Sequence, residues 1–182
     1  NPVEQLFWGR LPVVHASAQY YFTKESTMQH LVHQFKYHGH QELGRYLGRL
    51  MGYDLQYSGR FGDIDALVPL PLHPLREGKR GFNQATVLCE GIAEVLHLPL
   101  LTGIVIRTES TETQTQKSRL ERWENMQGKF RVMACGPVEG RHVLLVDDVV
   151  TTGATLEACG RALLQVRGLR LSLATLCTAS GN

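Results

Sequence analysis

The stretch VLLVDDVVTTGAT, residues 143–155, limits what this chain can fold into more than any other. Four apolar residues run straight into two adjacent aspartates, and a turn of threonine, glycine and alanine follows. An unbroken apolar run of this kind reads as a strand covered on both faces, the habit of parallel sheets flanked by helices. Two neighbouring carboxylates repel each other and are costly beside a core. A purely structural strand end gains nothing from them. They call for partners carried by a ligand, either hydroxyls that donate to them or a divalent cation. In an open parallel sheet, ligands bind outside the carboxyl ends of the strands.

Thr151, Thr152, Gly153, Ala154 and Thr155 lead into a helix predicted over 153–168. Exposed N–H groups at a helix start, backed by the helix dipole, form an anion site, and the hydroxyls add donors. Gly153 lets the backbone approach closely. Carboxylates beside such a cradle describe a ligand with a sugar diol and a phosphate, and a ribose 5-phosphate fits. A lone Asp-Asp pair is ordinarily a solvated turn, and a lone TTGAT an ordinary capped helix start; the weight lies in their register after a buried strand. The stretch has neither G-x-G-x-x-G nor a Gly-Lys-Thr/Ser ending, which excludes the Rossmann fingerprint and the Walker A loop.

The rest of the chain repeats the strand-helix rhythm. A buried strand is predicted at 65–72, emptying into a loop, HPLREGKRGFNQ, that carries Arg76, Lys79 and Arg80. Asn83 is placed to cap the helix QATVLCEGIAEVLHL. LLTGIVIRT and LRLSLATLCT read as further strands and AQYYF as a short one, while 27–39 and 41–55 have helical spacing. This alternation gives an α/β fold with a central, mostly parallel sheet flanked by helices. Residues 1–60 are expected to form a small N-terminal helical hood and 61–182 the core. The polar stretch ESTETQTQKS, followed by SRLERWENM, lacks apolar periodicity and is expected to act as a lid over bound substrate. Thr113, Gln114, Thr115 and Gln116 are its candidate contacts, with Arg119 and Arg122 reaching phosphate.

Composition narrows the classes. The 182 residues suit one compact unit, and a net charge of +2 gives no ground for nonspecific nucleic-acid binding. Cys89, Cys135, Cys159 and Cys177 lie far apart without a C-x-x-C pair, so reduced thiols in a cytoplasmic protein are expected. His30, His33, His38 and His40 share no acidic partner at ligand spacing and read as surface or core-edge residues. No apolar run is long enough to cross a membrane, so no membrane insertion is expected.

VLLVDDVVTTGAT resembles, over its whole length, the ribose-phosphate signature of type I phosphoribosyltransferases, which use 5-phosphoribosyl 1-pyrophosphate (PRPP) with Mg²⁺. PLPLHPLREGKRGFNQA, TQTQKSRLERWENMQGKF and HQFKYHG resemble the ComF branch of that superfamily, which is associated with DNA uptake in natural competence. The resemblance runs from about residue 30 to the end. It implies that Asp147 and Asp148 hold the ribose hydroxyls, that Thr151 to Thr155 wrap the 5′-phosphate, and that Arg76, Lys79 and Arg80 meet pyrophosphate. Mg²⁺ would be held mainly through PRPP, with Asp147 and Asp148 as possible ligands. ComF proteins commonly carry an N-terminal four-cysteine zinc ribbon; this sequence has none, and its opening Asn1 leads to the expectation of a ribbon cut away. The implied activity is glycosyl transfer of the amidophosphoribosyltransferase-like kind, to an acceptor the sequence does not name, in DNA uptake or nucleoside metabolism. The competing reading is a non-catalytic competence protein that binds PRPP and single-stranded DNA. Arg45, Arg49, Lys79 and Arg80 would then meet phosphates, and Tyr37, Tyr46 and Phe82 would stack on bases.

Overall fold

The computed structural model describes residues 1–22, 30–32, 34, 40–108 and 129–179. Four parallel strands form the central sheet in the order β1 (Ala16–Phe22), β6 (Arg170–Ala179), β5 (His142–Val150) and β2 (Ala66–Pro69). Leu100 adds a single parallel bridge to Leu67 on the far side of β2. AQYYF thus belongs to the sheet, as β1 along β6. The sheet therefore draws on the first sixty residues as well as on the remainder.

Helices cover both faces, as the unbroken apolar strands require. On one face α2 (Gln41–Tyr57) and α4 (Gln84–Leu96) bury Leu47, Met51, Leu88 and Ile92 against Leu144, Val146 and Leu176. Truncating a fully buried leucine such as Leu88 would cost about 2–5 kcal/mol. On the other face α1 (Pro2–Gln5), the turn after it and α5 (Ala154–Leu163) pack Phe7, Leu11, Leu156 and Leu163 against Val143, Leu145, Leu171 and Leu173. The α2 and α4 backbones touch. A Cβ at Gly48 would collide with the Leu88 carbonyl, and one at Gly91 with the Arg45 carbonyl. Asn83 caps α4 as expected, its Oδ1 accepting from Ala85 N at 3.0 Å.

Three expectations are corrected. The predicted strand LLTGIVIRT divides: Leu100 touches the parallel sheet, whereas β3 (Val105–Arg107) pairs antiparallel with β4 (Phe130–Val132) in a separate small sheet. The bend at Gly103, with φ 72°, accounts for the break. The cationic loop is instead a short helix, α3 (Pro74–Arg80), with Pro74 at its start and Gly81 closing it at φ 79°. Helix α5 stops at Leu163 rather than Gly168, because the chain turns so that Val166 and Leu169 enter the core.

Candidate functional site

Strand β5 carries the two carboxylates inside it rather than at its end. Its pairing with β2 stops at Pro69–Val146, while its pairing with the longer β6 continues through Asp147–Thr175 to Val150–Thr178. Past Val146, β5 has lost β2 as a neighbour, and this gap is where Asp147 emerges, half-buried. Asp147 Oδ1 accepts from Asp148 N at 2.8 Å, and Asp148 is buried at 9% exposure.

Next comes the loop. Thr151 and Thr152 are exposed, and Gly153 is buried with φ 75° at the cap of α5. A Cβ on Gly153 would stand 2.9 Å from Phe7 Cε1, so close packing as well as backbone angle demands glycine there. Asp147, Val149 and Thr151 to Thr155 line a hollow of about 50 Å³, which Asp148 does not. Loop and carboxylate thus share one small concavity. A larger hollow of about 600 Å³ lies elsewhere, between Leu11, Pro12, β4 and the outer side of α5, without Asp147 or the loop.

The cations of α3 fall at positions 76, 79 and 80, a spacing that puts them on one helix face. Arg76 and Lys79 are exposed; Arg80 Nη1 donates to Gln84 Oε1 at 2.8 Å. His73 caps the same helix, its Nδ1 accepting from Leu75 N at 3.3 Å.

Sequence reasoning missed Arg107, at the end of β3. Its guanidinium lies over the Phe130 ring, 5.5 Å from the centroid. Burial lowers its pKa, the positive charge of Arg76 lowers it further, and Asp147 works the other way. Two cations held near each other beside a carboxylate form a place where an anion relieves repulsion. Below them the Cys159 thiol is pushed far up by burial and by Asp147, so it stays neutral. Arg107 was hidden because 100–108 read as one strand of the main sheet. The glycine at 103 was the available signal of a break.

The lid candidates Thr113, Gln114, Thr115, Gln116, Arg119 and Arg122 lie outside the described residues. The segment's flanks do not: Thr108 N donates to Lys129 O at 2.8 Å, and β3 pairs with β4. Among the described residues, no three His, Cys, Asp or Glu converge as a metal cage. Asp147 and Asp148 could supply part of the shell of an Mg²⁺ held mainly by substrate oxygens, the usual arrangement for that ion.

The surface expected for single-stranded DNA is not assembled as read from the sequence. Arg45 pairs with Glu90 at 2.8 Å and Glu42 at 2.7 Å, and Arg49 with Glu94 at 3.1 Å. Phe82 is buried at 9% exposure, Tyr46 is exposed, and Tyr37 lies outside the described residues. Helix packing brought acidic partners from α4 that spacing along α2 alone did not reveal. No described helix is long and apolar enough to cross a membrane.

A parallel sheet under helices, with an acidic strand edge and an amide loop at its carboxyl end, defines an α/β protein of the type I phosphoribosyltransferase kind. Residues 83–181, more than half of the chain, match the phosphoribosyl transferase domain family. The chain belongs to that family, in its ComF branch. It is 35% identical over 150 residues to the DNA utilization protein YhgH of Escherichia coli (strain K12), covering 81% of this chain and 65% of that protein. It is 33% identical over 137 residues to competence protein F of Haemophilus influenzae, covering 73% and 60%. The chain thus spans less than two thirds of the length of these relatives. Glutamine PRPP amidotransferase of Bacillus subtilis, a solved structure, superposes over 71% of this chain and 25% of its own at TM-score 0.49 and 20% identity.

Proposed function

We propose that this chain binds PRPP at the carboxyl ends of β2 and β5 and transfers its ribose 5-phosphate to an acceptor. The observation that supports this reading is the shared hollow of Asp147 and the 151–155 loop, with Arg107 near enough to feel the charges of both Asp147 and Arg76. In the reaction, the bond from ribose C1 to the pyrophosphate oxygen breaks and the pyrophosphate leaves with the electron pair. The acceptor's lone pair then bonds to C1, and the acceptor gives up a proton. The state between is cationic at C1, so nearby carboxylate charge and neutralised leaving phosphates lower the barrier.

Asp147 accepts hydrogen bonds from the ribose hydroxyls and orients the sugar. The amides and hydroxyls of Thr151 to Thr155 hold the 5′-phosphate. Arg76, Lys79, Arg80 and Arg107 face the leaving pyrophosphate. Asp147, with Asp148 behind it, would hold an Mg²⁺ carried in with PRPP, and the ion would supply neutralising charge to the phosphates. The names of the two relatives support a setting in DNA utilization or competence. A non-catalytic binding role is the reading to set against transfer.

Calorimetric titration with PRPP and Mg²⁺, followed by a screen for pyrophosphate release with purines, pyrimidines and amines, tests the proposal. Binding with release identifies a transferase. Binding without release for any acceptor leaves a PRPP-binding protein and removes catalysis. Absence of binding removes both.

A further inference from the structure

The anion loop is held from behind by residues more than 140 positions away in sequence. Arg10, in the turn after α1, inserts its guanidinium beneath the loop. Its Nη1 donates to the Thr152 carbonyl at 2.9 Å and to the Leu6 carbonyl at 2.9 Å. Its Nε and Nη2 donate to Glu157 Oε2 at 3.0 and 2.6 Å. The other oxygen, Glu157 Oε1, accepts from Arg161 Nε and Nη2 at 3.2 and 3.0 Å, and Arg161 Nη2 returns a bond to the Arg10 carbonyl. Glu157 N itself donates to Gly153 O at 2.8 Å. Phe7, fully buried, fills the space against Gly153.

We infer that Arg10 is a positioning residue for the 5′-phosphate cradle, an inference that rests on the reading of the site given above. A trans peptide is planar, with its C=O and N–H pointing in opposite directions. Fixing the Thr152 carbonyl on Arg10 therefore turns the Gly153 N–H away from Arg10. It sets the donor before any ligand arrives, so the ligand does not have to order the loop. Two guanidiniums around one carboxylate also leave a net positive charge behind the loop, which favours an anion in front of it. Lysine cannot reproduce this role: it lacks the planar fork that reaches Thr152, Leu6 and Glu157 together.

Calorimetry of the whole chain with two separate probes, ribose 5-phosphate and Mg-pyrophosphate, decides the point. Arg10→Lys is expected to weaken ribose 5-phosphate by about tenfold, the loss of one charge-assisted hydrogen bond, and to leave Mg-pyrophosphate within about twofold. Equal losses for both probes, or none for either, overturn the inference, since a general structural defect does not choose between the ends of the ligand. Should Arg10→Lys fail to fold, Glu157→Gln, which leaves Arg10 its bonds to Leu6 and Thr152, is expected to show the same selectivity with a smaller loss; equal losses there overturn it too. A wild-type chain that binds neither probe sinks the PRPP reading itself, whereas wild-type binding with unselective variants sinks only the role of Arg10.

Discussion

The two ends of β5 handle polar groups in opposite ways. At the amino end His142, fully buried, has Nε2 2.9 Å from Ser172 Oγ and Nδ1 3.1 Å from Asp63 Oδ1. Ser172 Oγ also accepts from His15 N at 3.1 Å, Asp63 pairs with Arg170 at 3.0 Å, and Asp65 accepts from His142 N at 2.7 Å. The groups there lie beside counterparts within the chain, His142 Nδ1 standing near Asp63 without a well-aligned hydrogen bond, and no hollow opens beside them among those described. At the carboxyl end Asp147 opens onto a hollow beside its neighbour Asp148, and Arg107 feels both Asp147 and the like charge of Arg76. The first arrangement stabilises the fold. The second, on the function proposed above, gives up stability for a ligand, as sites commonly do. A serine, histidine and aspartate in a row do not make a catalytic triad here: Ser172 has no exposed surface for a substrate to reach.

The contrast can be broken most sharply at the carboxyl end. Changing Asp147→Asn together with Asp148→Asn should lower PRPP affinity at least about a hundredfold, because charge-assisted hydrogen bonds are worth about 1.5–3 kcal/mol each. Thermal stability should hold or rise as the repulsion goes. Calorimetry with a parallel melt checks both, and a variant that melts early yet binds normally reverses the assignment. Arg107→Met should weaken Mg-pyrophosphate about tenfold without lowering the melting temperature, since Arg76 then loses a like-charged neighbour. Unchanged pyrophosphate affinity would take Arg107 out of the site.

At the amino end the pattern should invert. Ser172→Ala strands the His142 ring nitrogen and the His15 amide, at a cost of about 1–3 kcal/mol in denaturant unfolding, with ligand affinity unchanged. A fall in affinity there would mean that the two ends are coupled. The smallest effect concerns acid. Burial works to raise the Asp63 pKa, but its His142 and Arg170 partners outweigh burial and set it below the usual 3.8; Glu4, likewise opposed by burial, is lowered from 4.5 chiefly by Arg60. Groups with depressed folded values stabilise above their unfolded pKa, and that contribution is lost as pH falls through the folded one. The melting temperature should therefore drop in acid below pH 4.5, and Asp63→Asn should flatten part of the drop.

Much of this was legible in local pattern. The apolar run before Asp147, the small loop and the Asn83 cap each announce themselves within a few residues, because strand burial and capping are local demands. The short helix α3 was also legible: Pro74 after His73 and Gly81 after Arg80 are start and stop signals that the loop reading passed over. Arg107 and Arg10 were not legible. One depends on a change from parallel to antiparallel pairing, the other on a partner 147 residues away, and periodicity along the chain carries no trace of either. The length of β5 was concealed for the same reason. Its last four residues are a strand because β6 extends beside them, not because their own sequence insists on it.

The glycine contact between α2 and α4 has a mechanical consequence. With a carbonyl lodged where each Cβ would be, a one-residue slide of either helix would drive a side chain into backbone, so the pair can shift only as a single block. Asn83 ties that block to the end of β2 through the Leu70 carbonyl, at 2.9 Å. Any adjustment of the α3 cations on meeting an anion must then be absorbed in the thirteen-residue span from Leu70 to Phe82, a hinge bounded on both sides by parts that do not yield.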